Sequence, residues 1–353
     1  MATSEHARFR VQEYNEKDDS EMRQFSKLYA NPFQSLEFYE VLLRVKSVRP
    51  ELLIARDRND DIAGSVISMT APRFSLLSRT VVQFGPVIRS GDEGICLKIL
   101  RDLLIGICQH NRRSIDIYVR APFTDLSEAF DELSFSRADP VLDGMVFINL
   151  EEEVEQLWQG LNKRCRNSVR KASAQGVQIE EVTSVEQLAE YYSLYASVAR
   201  DWYVTYPFSL FEGIFRYLVP RGMAMIYLAK HDSEVIAGVT NLTYRSRVYQ
   251  WNNVTSKHGR NLDANNLLNW HSMTRSKDRG ALFYVHYGLS TAGDPQSRSS
   301  FKRSFGGIVL DSSRGYYKVN SVTRRTAINR MLRLENTHTS NVLVGTLKRL
   351  LLG

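Results

Sequence analysis

Apolar and polar positions along this chain follow two periods, and the switches between them lay out an α+β protein. Residues 9–13 read as an edge strand and residues 18–29 as a helix with an acidic start. Asn31-Pro32 breaks that helix, and residues 34–45 read as a second one. Residues 51–56 and 62–70 are β-rich runs on either side of Asp57-Arg58-Asn59-Asp60-Asp61, a hairpin signal. Residues 80–84 form a further strand, ending at Gly85-Pro86. Over residues 93–109, Ile95, Leu97, Ile99, Leu100, Leu103, Leu104 and Ile107 recur at helical spacing. A strand over 114–119, a helix over 125–133 and a strand over 145–150 follow.

The same order then recurs, although little residue identity links the halves. Residues 154–174 read as one long helix stopped by Gly176, and residues 177–182 as a strand. Ser184 with Gln187 is a capping-box signal for a helix running to about Arg200. Residues 223–230, 235–243 and 247–254 make a three-stranded meander. A helix over 262–278 ends at Gly280; a strand over 281–287 follows, then a short helix over 296–305 and one or two strands within 309–319. The pattern predicts domains at 1–150 and 151–319, with a tail at 320–353.

Composition narrows the setting. The chain has 353 residues, 43% hydrophobic and 24% charged, which suits two ordinary globular domains. No run of about 18 apolar residues offers a spanning helix, and MATSEHARFR has no apolar core of a signal peptide. Cys96, Cys108 and Cys165 are few and scattered, which fits a reducing compartment, so a cytoplasmic location is expected. The net charge of +7 belongs to the end of the chain. From Arg314 onward there are eight Lys/Arg against one acid, Glu335, while the remainder is neutral. Leu343, Leu347, Leu350 and Leu351 lie at amphipathic spacing beside Lys348 and Arg349. The tail thus reads as a contact with an anionic membrane surface or RNA, as an apolar face packed on the first domain, or as a solvated tail.

Candidate chemistry centres on Phe301-Lys302-Arg303-Ser304-Phe305-Gly306-Gly307. Phe301 and Phe305 are four apart on one helical face, so Lys302 projects from a packed support. A lysine held there suits a phosphate, a carboxylate or a developing oxyanion; the alternative is a surface helix. Lys163, Arg166 and Arg170 fall on one side of a basic segment and read as a phosphate contact or as a solvated face. Lys257 and Arg260, before the helix at 262, are further phosphate candidates. Walker A, G-x-G-x-x-G and H-E-x-x-H patterns are absent, and the seven histidines are scattered, so neither a metal nor a cofactor is expected.

FKRSFGG is similar to the FK-x-x-FGG signature of the Fem family of aminoacyltransferases. Three more segments resemble Fem landmarks in the same order: Asn31-Pro32-Phe33-Gln34-Ser35 with Phe38, Gly85-Pro86-Val87, and Lys163 to Ala172. The resemblance implies two tandem GNAT-type acyltransferase domains, each a mixed sheet flanked by helices. It also implies transfer of an acyl or aminoacyl group to an amine of a cell-envelope precursor, peptidoglycan or polysaccharide. The donor would be a co-substrate, aminoacyl-tRNA or a carrier-bound acyl group.

Departures from the family pattern shape the site assignments. Where acyl-CoA enzymes carry a glycine-rich pyrophosphate loop, Lys257-His258-Gly259-Arg260-Asn261-Leu262 has one glycine, which disfavours free CoA as donor. Glu40 stands near the place of the family's diphosphate-binding lysine, which counts against a UDP-linked acceptor. Gln34, Trp202, Tyr206, Tyr249 and Asn252 are the candidate acceptor residues; aromatics on a meander are more often core, which is the alternative reading for those among them. Tyr284-Val285-His286-Tyr287-Gly288 has His286 where the family has Asp. His286 is therefore either the base that takes the amine proton or a satisfied structural histidine. Phe301 is assigned with the donor side and Lys302 to the oxyanion. An acyl-CoA-dependent N-acyltransferase and a non-catalytic RNA- or membrane-binding module are the competing readings.

Overall fold

The polar run at 57–61 closes a hairpin because the Asp57 carboxylate accepts from the N–H groups of Asn59 (2.9 Å) and Asp61 (3.1 Å). Its strands are β2 (Arg49–Arg56) and β3 (Ile62–Phe74). The computed structural model describes residues 9–74, 77–89, 91–122, 126–137, 144–199, 206–289, 298–311 and 314–320. These divide into two compact units, with breaks between residues 139 and 140 and between 312 and 313.

In the first unit, β1 (Arg10–Glu13), α1 (Asp19–Tyr29) and α2 (Leu36–Leu42) precede the hairpin. After it come β4 (Leu77–Gln83), β5 (Val87–Ile88), α3 (Glu93–His110), β6 (Asp116–Ala121), α4 (Ser127–Glu132) and β7 (Ser136–Arg137). Helix α3 buries Ile99, Leu100, Leu103, Leu104 and Ile107 against the sheet, most of the stripe its spacing predicts; Leu97 is half-buried and Ile95, in the first turn, is exposed. Each buried side chain of the stripe contributes about 1.5–3 kcal/mol. The sheet order is β1-β2-β3-β4-β6-β15-β7, with β5 on β3; β15 (Arg314–Val319) comes from the far end of the described chain.

The second unit repeats the plan. Strand β8 (Gly144–Asn149) leads into α5 (Val154–Gly160), α6 (Lys163–Ala174), β9 (Gln178–Glu181), α7 (Val185–Val198) and α8 (Phe208–Tyr217). The meander β10 (Ala224–His231), β11 (Glu234–Tyr244) and β12 (Arg247–Thr255) follows. Then come α9 (Lys257–Asn261), α10 (Ala264–Asp278), β13 (Phe283–Leu289), α11 (Arg298–Arg303) and β14 (Ile308–Asp311). The sheet runs β14-β8-β13-β12-β11-β10-β9. Each sheet therefore holds, between two of its own strands, one strand delivered from the chain segment that finishes the other: β8 after β7, β15 after β14. Both sheets are mixed and flanked by helices, so the α+β expectation holds.

Three local features differ from the sequence reading. The expected helix over 154–174 is two, because Asn162 starts α6 with its side chain accepting from the Cys165 N–H, and its own N–H donates to Ser304 O (3.0 Å). Helix α8 was not expected. Strand β8 pairs with β13 and β14, and β15 with β6 and β7, so β8 lies in the second sheet and β15 in the first. The capping box at Ser184 is present as expected. The amphipathic pattern at 341–351 lies outside the described residues, as does Trp202.

Candidate active site

Strands β12 and β13 run parallel and pair at only three positions, Arg247↔Phe283, Val248↔Tyr284 and Tyr249↔Val285. Beyond these, β12 continues to Thr255 and β13 to Leu289 without pairing to each other. Both strands bulge at the point of separation. On β12, Thr240↔Asn252 and Asn241↔Gln250 leave Trp251 as the extra residue. On β13, Tyr287↔Met145 and Leu289↔Gly144 leave Gly288 extra, at φ +78°. A bulge strengthens twist locally, so two facing bulges open a wedge in the sheet.

One face of the wedge is lined by buried polar side chains. His286 Nδ1 lies 3.0 Å from Gln250 Oε1, and Gln250 Nε2 donates to Asn269 Oδ1. Asn269 in turn donates to Asn265 O (2.7 Å). Because the Gln250 oxygen can only accept, the His286 proton sits on Nδ1. Beside this chain, Tyr284, Asn241 and Ser272 close a hydrogen-bonded ring: Tyr284 Oη to Asn241 Oδ1 (3.1 Å), Asn241 Nδ2 to Ser272 Oγ (2.6 Å), and Ser272 Oγ to Tyr284 Oη (3.1 Å). Asn265, Asn269, Ser272 and Ser276 recur on α10 at i, i+4, i+7 and i+11. The sequence reading missed this network, and that polar stripe was its visible signal.

His286 is fully buried, and burial, with the Lys302 charge nearby, lowers its pKa to about 3. Its Nε2 is also buried. The ring is therefore neutral at physiological pH and out of reach of solvent, which counts against the general-base reading. Its Nε2 has no protein partner among the described residues, so the ring is not the fully satisfied structural histidine of the alternative reading either. Burial pushes the Tyr284 phenol up as well.

Lys302 meets β13 at the bulge. Its Nζ donates to Tyr287 O (2.5 Å) and Gly288 O (2.9 Å), so the ammonium sits at the C-terminal end of β13. The support predicted for it is present. Phe301 and Phe305 meet at 5.1 Å between ring centroids, Phe305 is buried against the His286 ring, and Phe301 is half-buried. The glycine pair fixes the exit. Gly306 (φ +81°) and Gly307 (φ +85°) are left-handed, and a Cβ would fall 2.7 Å from Gly160 O and 2.4 Å from Phe147 O.

The opposite face is aromatic. Tyr206 and Trp251 rings meet at 4.8 Å, and Trp251 meets Phe211 at 5.4 Å. Tyr287 Oη donates to Trp251 O (2.9 Å). Asn252 is buried there; its carbonyl accepts from Tyr191 Oη (3.3 Å), and its Nδ2 has no protein partner. Tyr249, whose phenol burial pushes up, precedes them on β12. Gln34 does not belong to this group. It is fully buried in the first unit, donating to Ile67 O (3.1 Å) and Gln83 O (2.8 Å) and accepting from the Ile67 N–H (2.7 Å). Its amide is spent on the sheet, which corrects its assignment to an acceptor.

The basic candidates separate. Arg166 donates to Gln159 O (3.0 Å) and Leu161 O at the end of α5, and Arg170 lies over the Trp158 ring at 5.1 Å. Lys163, Arg164 and Lys171 occupy another face of α6 and, with Asn167, Ser168 and Asp263, line an open groove. Lys171 pairs with Asp263 (2.9 Å), the residue preceding α10. Lys257 is exposed, and Arg260 donates to Thr255 O (2.9 Å) within its own turn. Gly259 is needed for packing, since a Cβ would meet Ile236 O at 2.4 Å. Among the described residues, the cluster able to offer a metal three ligands is Glu13, Glu51 and His110, in the first unit. No helix among them is long and apolar enough to cross a membrane.

Residues 160–303 match the acetyltransferase (GNAT) domain family, a span running from the end of α5 through Lys302. The crystal structure of FemX is similar at a TM-score of 0.62 and 14% identity, covering 90% of this chain and 99% of that one. A tandem GNAT protein from the clavulanic acid biosynthesis pathway is similar at a TM-score of 0.59 and 12% identity, over 89% of this chain and 99% of its own. The structure of L-PGS from Bacillus licheniformis is similar at 0.50 and 12% identity, over 91% and 97%. No curated protein matches by sequence. These likenesses are of fold, two GNAT-type units in tandem, and the matched segment is an acyltransferase domain.

Proposed function

We propose that the wedge between β12 and β13 transfers an acyl or aminoacyl group to an amine, in the manner of the Fem enzymes, on a cell-envelope precursor. The observation that carries this reading is the parting of those two strands inside an acetyltransferase domain, with Lys302 at the same level. Backbone N–H groups of β12 beyond Tyr249 that have lost a β13 partner are donors for the carbonyl of an acyl donor lying along the gap. The Lys302 ammonium supplies positive charge where the tetrahedral oxyanion develops. The amine approaches from the aromatic side, past Tyr206, Trp251 and Asn252, with Trp202 and Tyr249 as neighbours in sequence. His286, neutral and buried, holds the β13 side of the wedge through Gln250 and moves no proton; the amine proton leaves to water. The tetrahedral adduct collapses by breaking the donor's acyl–oxygen or acyl–sulfur bond, releasing the tRNA hydroxyl or the carrier thiol protonated from water.

The donor in this reading is aminoacyl-tRNA or a carrier-bound acyl group. An acid, Asp263, already occupies the start of α10 and is neutralised by Lys171, so a pyrophosphate there would face a carboxylate. Lys163 and Arg164 remain on the exposed face of α6 for a phosphate backbone. The basic stretch at 320–353 sits, in this proposal, against an anionic membrane on the cytoplasmic side. Titration with acetyl-CoA and with charged and uncharged tRNA tests the donor. Salt-sensitive tRNA binding is expected, and micromolar acetyl-CoA binding without it overturns the assignment.

A further inference from the structure

A cavity in the first unit has no part in acyl transfer as proposed above. It holds about 370 Å³, and Lys46, Arg49, Thr70, Ser78, Arg113 and Ser114 are among its lining residues. It lies where the turn after α2, the start of β4 and the turn between α3 and β6 come together, so it faces the N-terminal ends of two parallel strands. Lys46, Arg49 and Arg113 are exposed around it. Among the described residues none of the three is paired with a carboxylate; Arg49 reaches only Asn111 Oδ1, at 3.5 Å.

The floor is neutral and its protons are committed. Asn111 Nδ2 donates to Glu51 Oε2 (3.0 Å) and Ile107 O (3.1 Å), which fixes its Oδ1 as an acceptor. That oxygen takes the hydroxyl protons of Thr70 and Thr80, both at 3.0 Å. Thr80 Oγ1 then accepts from Ser114 Oγ (2.7 Å), and Ser78 Oγ follows at 3.4 Å. Glu51, the nearby carboxylate, is held by Asn111 and by His110 Nδ1 (2.7 Å). Three cations around one cavity repel each other, and none of them forms an ion pair with an acid among the described residues. An oxyanion would offset their charge, and the guanidinium fork matches phosphate oxygens in pairs.

We propose that this cavity binds a phosphate group, gripped by Arg49 and Arg113 with Lys46 and the Ser78 hydroxyl completing its shell. The ligand class is a phosphomonoester or diphosphate, free or as a lipid headgroup. The proposal is independent of the acyl-transfer reading, because it uses residues of the first unit only.

The test is calorimetric titration of the full chain with inorganic pyrophosphate at constant ionic strength. One saturable site is expected. The double variant Arg49→Gln/Arg113→Gln weakens it by at least about tenfold, the loss of a charged hydrogen bond or more. Lys163→Gln/Lys171→Gln, in the other basic groove, leaves it unchanged. Competition by phosphatidylglycerol vesicles assigns the site to a headgroup; lack of competition assigns it to a soluble phosphate. No saturable binding, or equal binding by the Arg49/Arg113 variant, overturns the proposal. Both guanidiniums are exposed, so the melting temperature stays at the wild-type value; if it falls, Arg113→Gln alone gives the same test.

Discussion

The two units carry the same order of strands and helices yet treat one strand pair differently. In the first, β4 and β6 stay paired from Arg79↔Asp116 to Gln83↔Arg120, and the Gly85 N–H extends the ladder to Arg120 O (3.1 Å). In the second, the corresponding β12 and β13 separate after three pairs. What fills the neighbourhood explains the contrast. Gln34 reaches across β3 and β4 with one amide and ties them, leaving no room beside Gly85, where a Cβ would meet its side chain at 2.6 Å. In the second unit the bulges at Trp251 and Gly288 break the ladder, and Lys302 takes the carbonyls that the bulge turns out. Fold is shared; an opening that can host a substrate is not, and the proposed chemistry is assigned to the unit that has it.

The largest effect should come from removing the cation at the open end. Lys302→Ala is expected to lower single-turnover transfer by about two to three orders of magnitude, the usual loss for one oxyanion donor. It should also cost about 1–2 kcal/mol in denaturant unfolding, for the two carbonyl contacts. Turnover near wild type would return Lys302 to a packing role.

The closed unit should respond in the opposite sense. Gln34→Leu strands the Ile67 N–H and the Ile67 and Gln83 carbonyls, and should cost about 3 kcal/mol or more of stability. Transfer by the folded fraction should stay unchanged. A selective loss of turnover with normal stability would give Gln34 the substrate role that the geometry denies it.

Gly307→Ala probes the exit from the open unit. It forces a Cβ toward Phe147 O at positive φ and should cost about 1–3 kcal/mol, read as a lower melting temperature with little change at the first unit's amides.

The effect at His286 is confined to acid pH and vanishes at neutral pH. Its pKa falls from 6.5 to about 3 on folding, so the unfolded chain binds the extra proton between those values. Stability should be full above about pH 6.5 and fall as pH drops toward 3. His286→Gln should flatten that decline, as followed by urea unfolding across the same range; an unchanged slope would mean the ring is not held neutral.

Much of this was legible in residues. The α3 stripe, the hairpin at Asp57, the Ser184 cap and the Phe301–Phe305 support for Lys302 are local, and spacing reports local contacts well. The role of Gln34 was not, because a buried amide spent on backbone groups looks the same in sequence as one aimed at a ligand. Nor was the parting of β12 from β13: register is a property of strand partners, and Gly288 signals a bulge only once β8 is known to lie alongside. The split basic segment follows from Asn162, which starts a new helix and turns Arg166 and Arg170 toward α5 while Lys163 and Lys171 face the groove.

The central claim is that the acyl donor lies in the second unit's wedge and leaves the first unit's closed pair alone. Hydrogen exchange measured by mass spectrometry, with and without the donor that titration identifies, tests it most directly. Peptides covering 250–255 and 286–289 are expected to gain protection, while those covering 80–85 and 117–121 do not change. Protection confined to the first unit's peptides would contradict the account.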